Sequence, residues 1–334
     1  MSENESNRTV TAKISEEKKI EETKEETKEE KTEVDLEKLP KSILLLGGSF
    51  SPVHKGHVEL LLSLRDYFQS NKQFHVIAAY LVLTTDKYIW GKLNEHGITF
   101  DHRQKMCEIA IKEYGKKAEN FVFASHIPCL NASHYGYVIA SAENAHKFFI
   151  ETKLLQDESQ LSQLYHLNCC GGDKLLLDDK TGLWRYIYHS FFFFFCKNVK
   201  TGGGSEYSKL VSIGRSGYTE TVRELYNKDK ANKLVNEDKF LFVDMELDEV
   251  SSTQIRTELF KFHQAPVESR TSELKQQIIT TLQNKISAAE LEYAFENVDR
   301  LWLQESDFIK SKPEPQATTV EKPTKKKWFA KWRS

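Results

Sequence analysis

Ser42-Ile43-Leu44-Leu45-Leu46-Gly47-Gly48-Ser49-Phe50-Ser51-Pro52-Val53-His54-Lys55-Gly56-His57 is the stretch whose reading decides the fold. Its apolar start reads as a buried strand, and the paired glycines end that strand in a tight turn. Leu60, Leu61, Leu64 and Phe68 then recur at helical spacing, so a helix follows. A glycine turn between strand and helix lets a phosphate-bearing ligand approach the backbone, because no Cβ intervenes. The loop delivers His54 and His57 near the helix start, where unpaired N–H groups and the dipole add positive potential. Three residues apart, the two imidazoles can share one helix face. Gly56 between them leaves room for ligand. A pair of surface histidines or a weak metal site are the plainer readings of His-x-x-His, but the preceding strand and turn favour polyphosphate.

Strand and helix keep alternating outward from this stretch. Phe74 to Tyr80 reads as a second strand. Asp101 to Tyr114 reads as a helix, with Met106, Ile109 and Ala110 on one face and Asp101 near the start, where an acid suits the dipole. Phe121 to Ala124 is a third strand, followed by a helix over 138–150. Leu164 to Cys170 is a fourth, ending again on glycines, Gly171 and Gly172. Leu210 to Gly214 and Phe240 to Met245 are strand-like, and a helix begins near Thr253. The pattern predicts an α/β fold: a doubly wound, Rossmann-like sheet with mostly parallel strands. In such sheets ligands lie beyond the carboxyl ends of the strands, near the point where strand order reverses.

A second motif follows the Phe240 strand: Ser251-Ser252-Thr253-Gln254-Ile255-Arg256. Small hydroxyls at a helix start cap it and leave N–H groups facing outward, and one turn on Arg256 offers a planar cation for phosphate oxygens. Alone, this is a good N-cap with a solvated arginine. Combined with His54 and His57, it predicts a clamp on one triphosphate from two sides.

The composition bounds the rest. A chain of 334 residues holds one large domain or two modest ones. Its formal net charge of -2 gives no reason to expect a nucleic-acid partner. No run approaches the roughly 18 apolar residues of a membrane helix, and Phe191 to Phe195 is far too short. The acidic opening Met1-Ser2-Glu3-Asn4-Glu5 lacks the hydrophobic segment of a secretory signal. Five cysteines, an odd number without a C-x-x-C pair, fit a reducing cytosol or nucleus. His126, His134 and His146 show no ligand spacing with any cysteine, so no protein-held metal is expected.

Most of the polarity lies at the two ends. Residues 1–38 hold thirteen acids against eight bases, no aromatic side chain, and the repeat Glu-Glu-Thr-Lys at 21–24 and 25–28. Such a stretch has no apolar stripe to bury and reads as a charged, disordered tail. From Val320 to Ser334 six bases face one acid, with Trp328, Phe329 and Trp332 interleaved among lysines. The expected organisation is therefore a tail over 1–38, one domain over 39–310 and a basic, aromatic tail over 311–334.

The two motifs, in this order and separated by an α/β domain, resemble the HxGH nucleotidyltransferase superfamily. His54-Lys55-Gly56-His57 matches its (H/T)xGH fingerprint, and Ser251-Ser252-Thr253-Gln254-Ile255-Arg256 its SSTxIR segment. Within that superfamily the chain looks most like the nicotinamide/nicotinate mononucleotide adenylyltransferases. Gly48-Ser49-Phe50-Ser51-Pro52 resembles their GSFNP, with Ser51 in place of the usual Asn. His102-Arg103 with Met106 resembles their HR-xx-M helix, Gly171-Gly172-Asp173 their G-A-D, and Leu183-Trp184 their L-W.

The resemblance implies that the phosphate of a mononucleotide attacks the α-phosphorus of ATP and expels pyrophosphate. His57, His54 and Arg256 would then be the catalytic groups. Gly48, Ser49, Phe50, Gly171, Asp173, Ser252 and Thr253 would line the ATP site. Ser49, Phe50, Lys92, Leu183, Trp184 and Arg215 would meet the mononucleotide, with Lys87 a rival to Lys92 and Trp184 stacking on the pyridine. Mg2+ would be bound mainly through the ATP phosphates. The chain departs from the family where a second pyridine-stacking tryptophan is usual: Ala124-Ser125-His126-Ile127-Pro128 has none, and Trp90 is a candidate substitute. Two alternatives stay open at this level. One is another HxGH transferase, acting by cytidylyl transfer or on phosphopantetheine. The other is a degenerate nucleotide-binding protein that uses the fold for interaction. The oligomeric state is open as well, a homo-oligomer included.

Overall fold

A computed structural model describes residues 35–125, 160, 163–172, 176, 207–214, 216–232, 240–245 and 250–309. In chain order the elements are β1 (Lys41–Gly48), α1 (Lys55–Ser70), β2 (His75–Leu83), α2 (Asp86–Leu93), α3 (Phe100–Glu113) and β3 (Val122–Ala124). There follow β4 (Tyr165–Gly171), β5 (Ser208–Ile213), α4 (Thr219–Ala231), β6 (Phe240–Val243), α5 (Ser252–Gln264), α6 (Ser272–Leu282), α7 (Ala288–Glu296) and α8 (Ser306–Ile309). The six strands form one sheet in the order β3-β2-β1-β4-β5-β6, with every pairing parallel. The expected doubly wound sheet is present. The helix expected over 138–150 and the run Phe191 to Phe195 lie outside the described residues, as do 1–34 and 310–334; of the tail expected over 1–38, the last four residues are described and hold a 3-10 turn at Leu36–Lys38.

The sheet reads this way because its strands are mainly apolar rather than strictly alternating, with His166, Asn168 and Ser212 as buried polar exceptions in β4 and β5. Leu44 and Leu45 point to opposite faces, and both are fully buried. A strand covered on both faces belongs to a parallel sheet with helices packed on each side. α1 lays Val58, Leu61, Leu64 and Phe68 against β2. Each such side chain, once fully buried, contributes about 1.5–3 kcal/mol. β2 runs three residues past the expected end at Tyr80, because Leu81, Val82 and Leu83 continue its ladder with β1.

Strand order reverses between β1 and β4, whose neighbours on the other side are β2 and β5. Leu46 pairs with Cys169, so the glycines two positions on, Gly48 and Gly171, end adjacent strands at the same edge. Cys107, Cys169 and Cys170 are buried and unoxidised, which makes them packing residues. No helix among the described residues is long and apolar enough to cross a membrane.

The C-terminal helices pack back onto the loop that precedes α3. Ile98 bridges Trp302, the Thr99 N–H donates to the Leu301 carbonyl at 2.8 Å, and the Leu303 N–H donates to Gly97 at the same distance. Arg270 holds Asp299 through both carboxylate oxygens at 2.9 Å, and His263 meets the same carboxylate at 3.0 Å. α7 packs on α3. Its N-terminus is closed by a reciprocal pair in which the Glu290 N–H donates to the Ser287 hydroxyl and the Ser287 N–H donates to Glu290 Oε2.

Glu290 is a buried acid in this packing, 1% exposed. Burial, reinforced by the nearby Glu113 and opposed by the Ser287 hydrogen bonds, pushes its carboxyl up to about 8 from 4.5. The folded chain therefore binds this proton more tightly than the unfolded chain. Stability from this group is full below pH 4.5 and declines as the pH rises to about 8. Glu290→Gln keeps an oxygen for the Ser287 N–H and removes the charge. Urea denaturation across pH 5–9 should show the substitution increasingly stabilising toward alkaline pH, and an unchanged pH slope would contradict this account.

Candidate functional site

β1 stops where its backbone must admit an aromatic ring. A Cβ on Gly48 would lie 2.9 Å from Cζ of Phe50, so glycine lets that ring fold back over the strand end. Phe50 itself has φ of 44°, a left-handed conformation costing about 1–3 kcal/mol in a non-glycine residue. Burying its ring to 3% exposure offsets that strain. The side chain of Phe50 thus packs inside the loop instead of lining its open side.

The Phe50 ring supports the histidine pair. His57 stands edge-on to it, with centroids 4.9 Å apart and planes at 81°. His54 stacks on His57 at 3.7 Å and 26°. The two imidazoles occupy the N-cap and first turn of α1, and the His54 main-chain N–H donates to His57 Nδ1 at 3.2 Å. With Nδ1 accepting, a neutral His57 carries its proton on Nε2, a donor suited to a phosphate oxygen. Gly56 underlies the pair: a Cβ there would sit 3.3 Å from His54 Nδ1 and 3.8 Å from Val250. The turn is anchored from behind, since the Lys55 N–H donates to the Lys285 carbonyl and the Tyr114 hydroxyl donates to the Lys55 carbonyl at 3.2 Å.

The second motif reaches this loop directly. Arg256, on α5, donates from Nη1 to the Ser51 carbonyl at 2.7 Å and from Nη2 to Thr253 Oγ1 at 3.2 Å. Partial burial of the guanidinium lowers its proton affinity. Two stretches some 200 residues apart in the chain therefore meet at Ser51. The expected hydroxyl cap needs correcting: the Ser251 side chain makes no cap bond to α5. The hydroxyl of Thr253 accepts from Arg256 instead, and the arginine is tied down rather than solvated. Ser252 lies in the first turn of α5, half-buried, and its carbonyl is 3.4 Å from Arg256 Nη1.

Lys92, on α2, places its Nζ 3.5 Å from Ser49 Oγ. Both lysines considered are exposed, and Lys92 is the one whose ammonium reaches the glycine turn. Trp90 stacks on Phe308 at 5.1 Å, a packing contact between α2 and α8. Gly171 lies beside Gly48 at the end of β4. Asp173, Leu183, Trp184 and Arg215 lie outside the described residues.

Arg103 is the functional residue that sequence reading undervalued, as one letter of the HR-xx-M match. It is fully buried and, among the described residues, has the largest volume of any side chain so enclosed. Nε donates to the Ile98 carbonyl at 2.9 Å and Nη1 to Ser49 O at 2.9 Å. Nη2 serves Thr84 O at 2.7 Å and Asp86 Oδ1 at 2.9 Å. Burial lowers the proton affinity of this guanidinium and the Asp86 carboxylate partly restores it. The available signal was periodicity: Arg103, Met106, Cys107 and Ala110 form one buried stripe of α3, so a cation sits where an apolar residue was due.

The site offers imidazoles, guanidinium, ammonium and hydroxyls, a donor set made for anionic oxygen. Among the described residues no group of three or more His, Cys, Asp and Glu could hold a metal ion.

Curated nicotinamide/nicotinic acid mononucleotide adenylyltransferases 2 from Xenopus tropicalis and Rattus norvegicus are similar to part of this chain. Each is 36% identical over 70 residues, 21% of this chain and 22% of theirs, so the likeness spans about a fifth of the relatives' length. The Plasmodium falciparum nicotinic acid mononucleotide adenylyltransferase complexed with NaAD matches 77% of this chain and 95% of its own, at 14% identity and a TM-score of 0.43. The cytidylyltransferase-like family model matches residues 45–258, a span that begins inside β1, takes in the paired histidines and closes just past Arg256. The chain belongs to the cytidylyltransferase-like family.

Proposed function

We propose that this protein transfers the adenylyl group of ATP to nicotinamide or nicotinate mononucleotide, giving NAD or its deamido form and pyrophosphate. The observation that carries this reading is the Arg256–Ser51 hydrogen bond, which sets the guanidinium of the second motif against the loop that ends in His54 and His57. Family membership supports nucleotidyl transfer, and the partial likeness to the two curated adenylyltransferases supports the pyridine mononucleotide as acceptor.

The chemistry needs no protein nucleophile. An oxygen of the acceptor phosphate bonds to the α-phosphorus of ATP, the bond from that phosphorus to the bridging oxygen breaks, and pyrophosphate leaves with the electron pair. Catalysis is then alignment plus stabilisation of charge spread over the α-phosphate and the leaving group. In this reading His57 and His54 donate to the α-phosphate oxygens, while Ser252, Thr253 and Arg256 hold the β- and γ-phosphates from the other flank. Gly48, Ser49 and the main chain of Phe50 form the turn against which ATP lies, with Gly171 and Asp173 toward the adenosine ribose. Ser49, Lys92 and Arg215 take the mononucleotide phosphate, and Leu183 and Trp184 its pyridine.

The donors around His57 are cationic or neutral, which fits a magnesium ion held by ATP oxygens and water and not by a protein cage. That ion would supply further neutralisation of phosphate charge. In the same reading residues 39–310 form the transferase domain, with 1–38 and 311–334 as accessory tails. The protein works in the cytosol, the nucleus or both.

Incubating the protein with Mg-ATP and each mononucleotide, and following dinucleotide by chromatography, tests the proposal. Stoichiometric dinucleotide and pyrophosphate are expected. Turnover confined to CTP and a phosphoalcohol, or phosphate release without any acceptor, would replace it. His57→Ala should lower kcat by at least about 10²-fold while the protein stays folded, the usual scale for one lost transition-state donor. Gly56→Ala separates stability from activity. Alanine favours the helix by up to about 1 kcal/mol, so Tm should hold or rise. Its methyl crowds His54 Nδ1, so turnover should fall, and a fully active Gly56→Ala protein would show that His54 is not needed in its present place.

A further inference from the structure

We propose that Arg103 is a positioning residue for the acceptor side of the site: by gripping the start of α2 and the glycine turn together, it sets where Lys92 stands relative to Ser49. The inference rests on the function proposed above, in which Ser49 and Lys92 meet the mononucleotide phosphate.

The geometry runs through four contacts of one rigid group. Nη1 fixes the Ser49 carbonyl in the turn after β1. Nη2 fixes the Thr84 carbonyl just beyond β2 and the Asp86 carboxylate in the first turn of α2. Nε fixes the Ile98 carbonyl where the chain returns from α2 toward α3. The segment that carries Lys92 is therefore pinned at both of its ends by the same guanidinium that holds Ser49. Because the guanidinium is planar, the separation between its Nη1 and Nη2 partners is a fixed length. That length sets the frame in which Lys92 Nζ comes within 3.5 Å of Ser49 Oγ.

The opposite flank is held differently. Arg256 reaches the Ser51 carbonyl, and His54 and His57 are braced by Phe50, Lys285 and Tyr114. None of those contacts involves Arg103. Arg103 reaches that flank only indirectly, through Ile98 and the Ser51 hydroxyl, so loosening it should be felt first by the acceptor and less by ATP. A lysine at this position keeps the charge but can satisfy fewer of the four acceptors at once.

The test compares Arg103→Lys with Asp86→Asn, the second removing the counter-charge at a half-buried carboxylate while leaving the guanidinium and its three main-chain carbonyl partners in place. In steady-state assays both should raise KM for the mononucleotide, by about 10- to 100-fold for Arg103→Lys, the scale of a displacement near 1 Å. KM for ATP should rise several-fold less, because Ser49 also borders ATP but His54, His57 and Arg256 keep their own supports. Equal rises in both KM values would reduce Arg103 to a general structural role and overturn the proposal. Amide hydrogen exchange supplies a readout that needs no substrate. Residues 86–93 should exchange at least about tenfold faster in Asp86→Asn, with 41–46 unchanged. Unaltered exchange over 86–93 would overturn the proposal whatever the acceptor. Parent protein without turnover on either mononucleotide would instead strike at the function, leaving exchange to decide the role of Arg103.

Discussion

The buried guanidinium of Arg103 is the constraint on which the rest of the site depends. It joins the end of β1, the end of β2, the start of α2 and the loop before α3, four segments that would otherwise fray at the open edge of the sheet. A cation at full burial survives only where its donors are matched and a counter-charge is near, here Asp86. Withdrawing it would strand three main-chain carbonyls and a carboxylate, a loss on the scale of about 3–5 kcal/mol. Much of the loop geometry at the carboxyl edge follows from that one planar group.

A second junction closes the other side. Ser51 accepts from Arg256 through its carbonyl and from the Ile98 N–H through its hydroxyl at 2.9 Å. Ile98 in turn gives its carbonyl to Arg103 and bridges Trp302. A continuous run of hydrogen bonds therefore connects the helix of the second motif, the loop of the first, and the C-terminal segment that lies beyond the family match. The short Ser51 hydroxyl suffices at this junction because it has only a main-chain N–H to reach.

Parallel strands buried on both faces write themselves as mainly apolar runs, which is why all six strands, the short β3 included, were legible along with their order of appearance. The helices α1 and α3 announced themselves by spacing. His54 and His57 stood out because glycines flank them, and Arg256 because hydroxyls precede it. What periodicity does not convey is which polar atoms meet. The Ser251 cap was expected from residue type and is absent, and the hydroxyl of Thr253 accepts from Arg256. Phe50 was expected at the ligand, and the structure gives its ring a buried role that residue type does not announce, the support of His57. Lys92 was preferred over its rival Lys87 from the resemblance, and only the placement of α2 brings its ammonium to Ser49.

Local sequence settled the elements and the identity of the chemical groups, because burial pattern and glycine placement are properties of neighbouring residues. Tertiary structure alone decided that Arg256 would lie on Ser51 and that Arg103 would be sealed beneath the turn. Those outcomes depend on strand order across the sheet, and strand order arises from non-local packing that no short window of residues encodes.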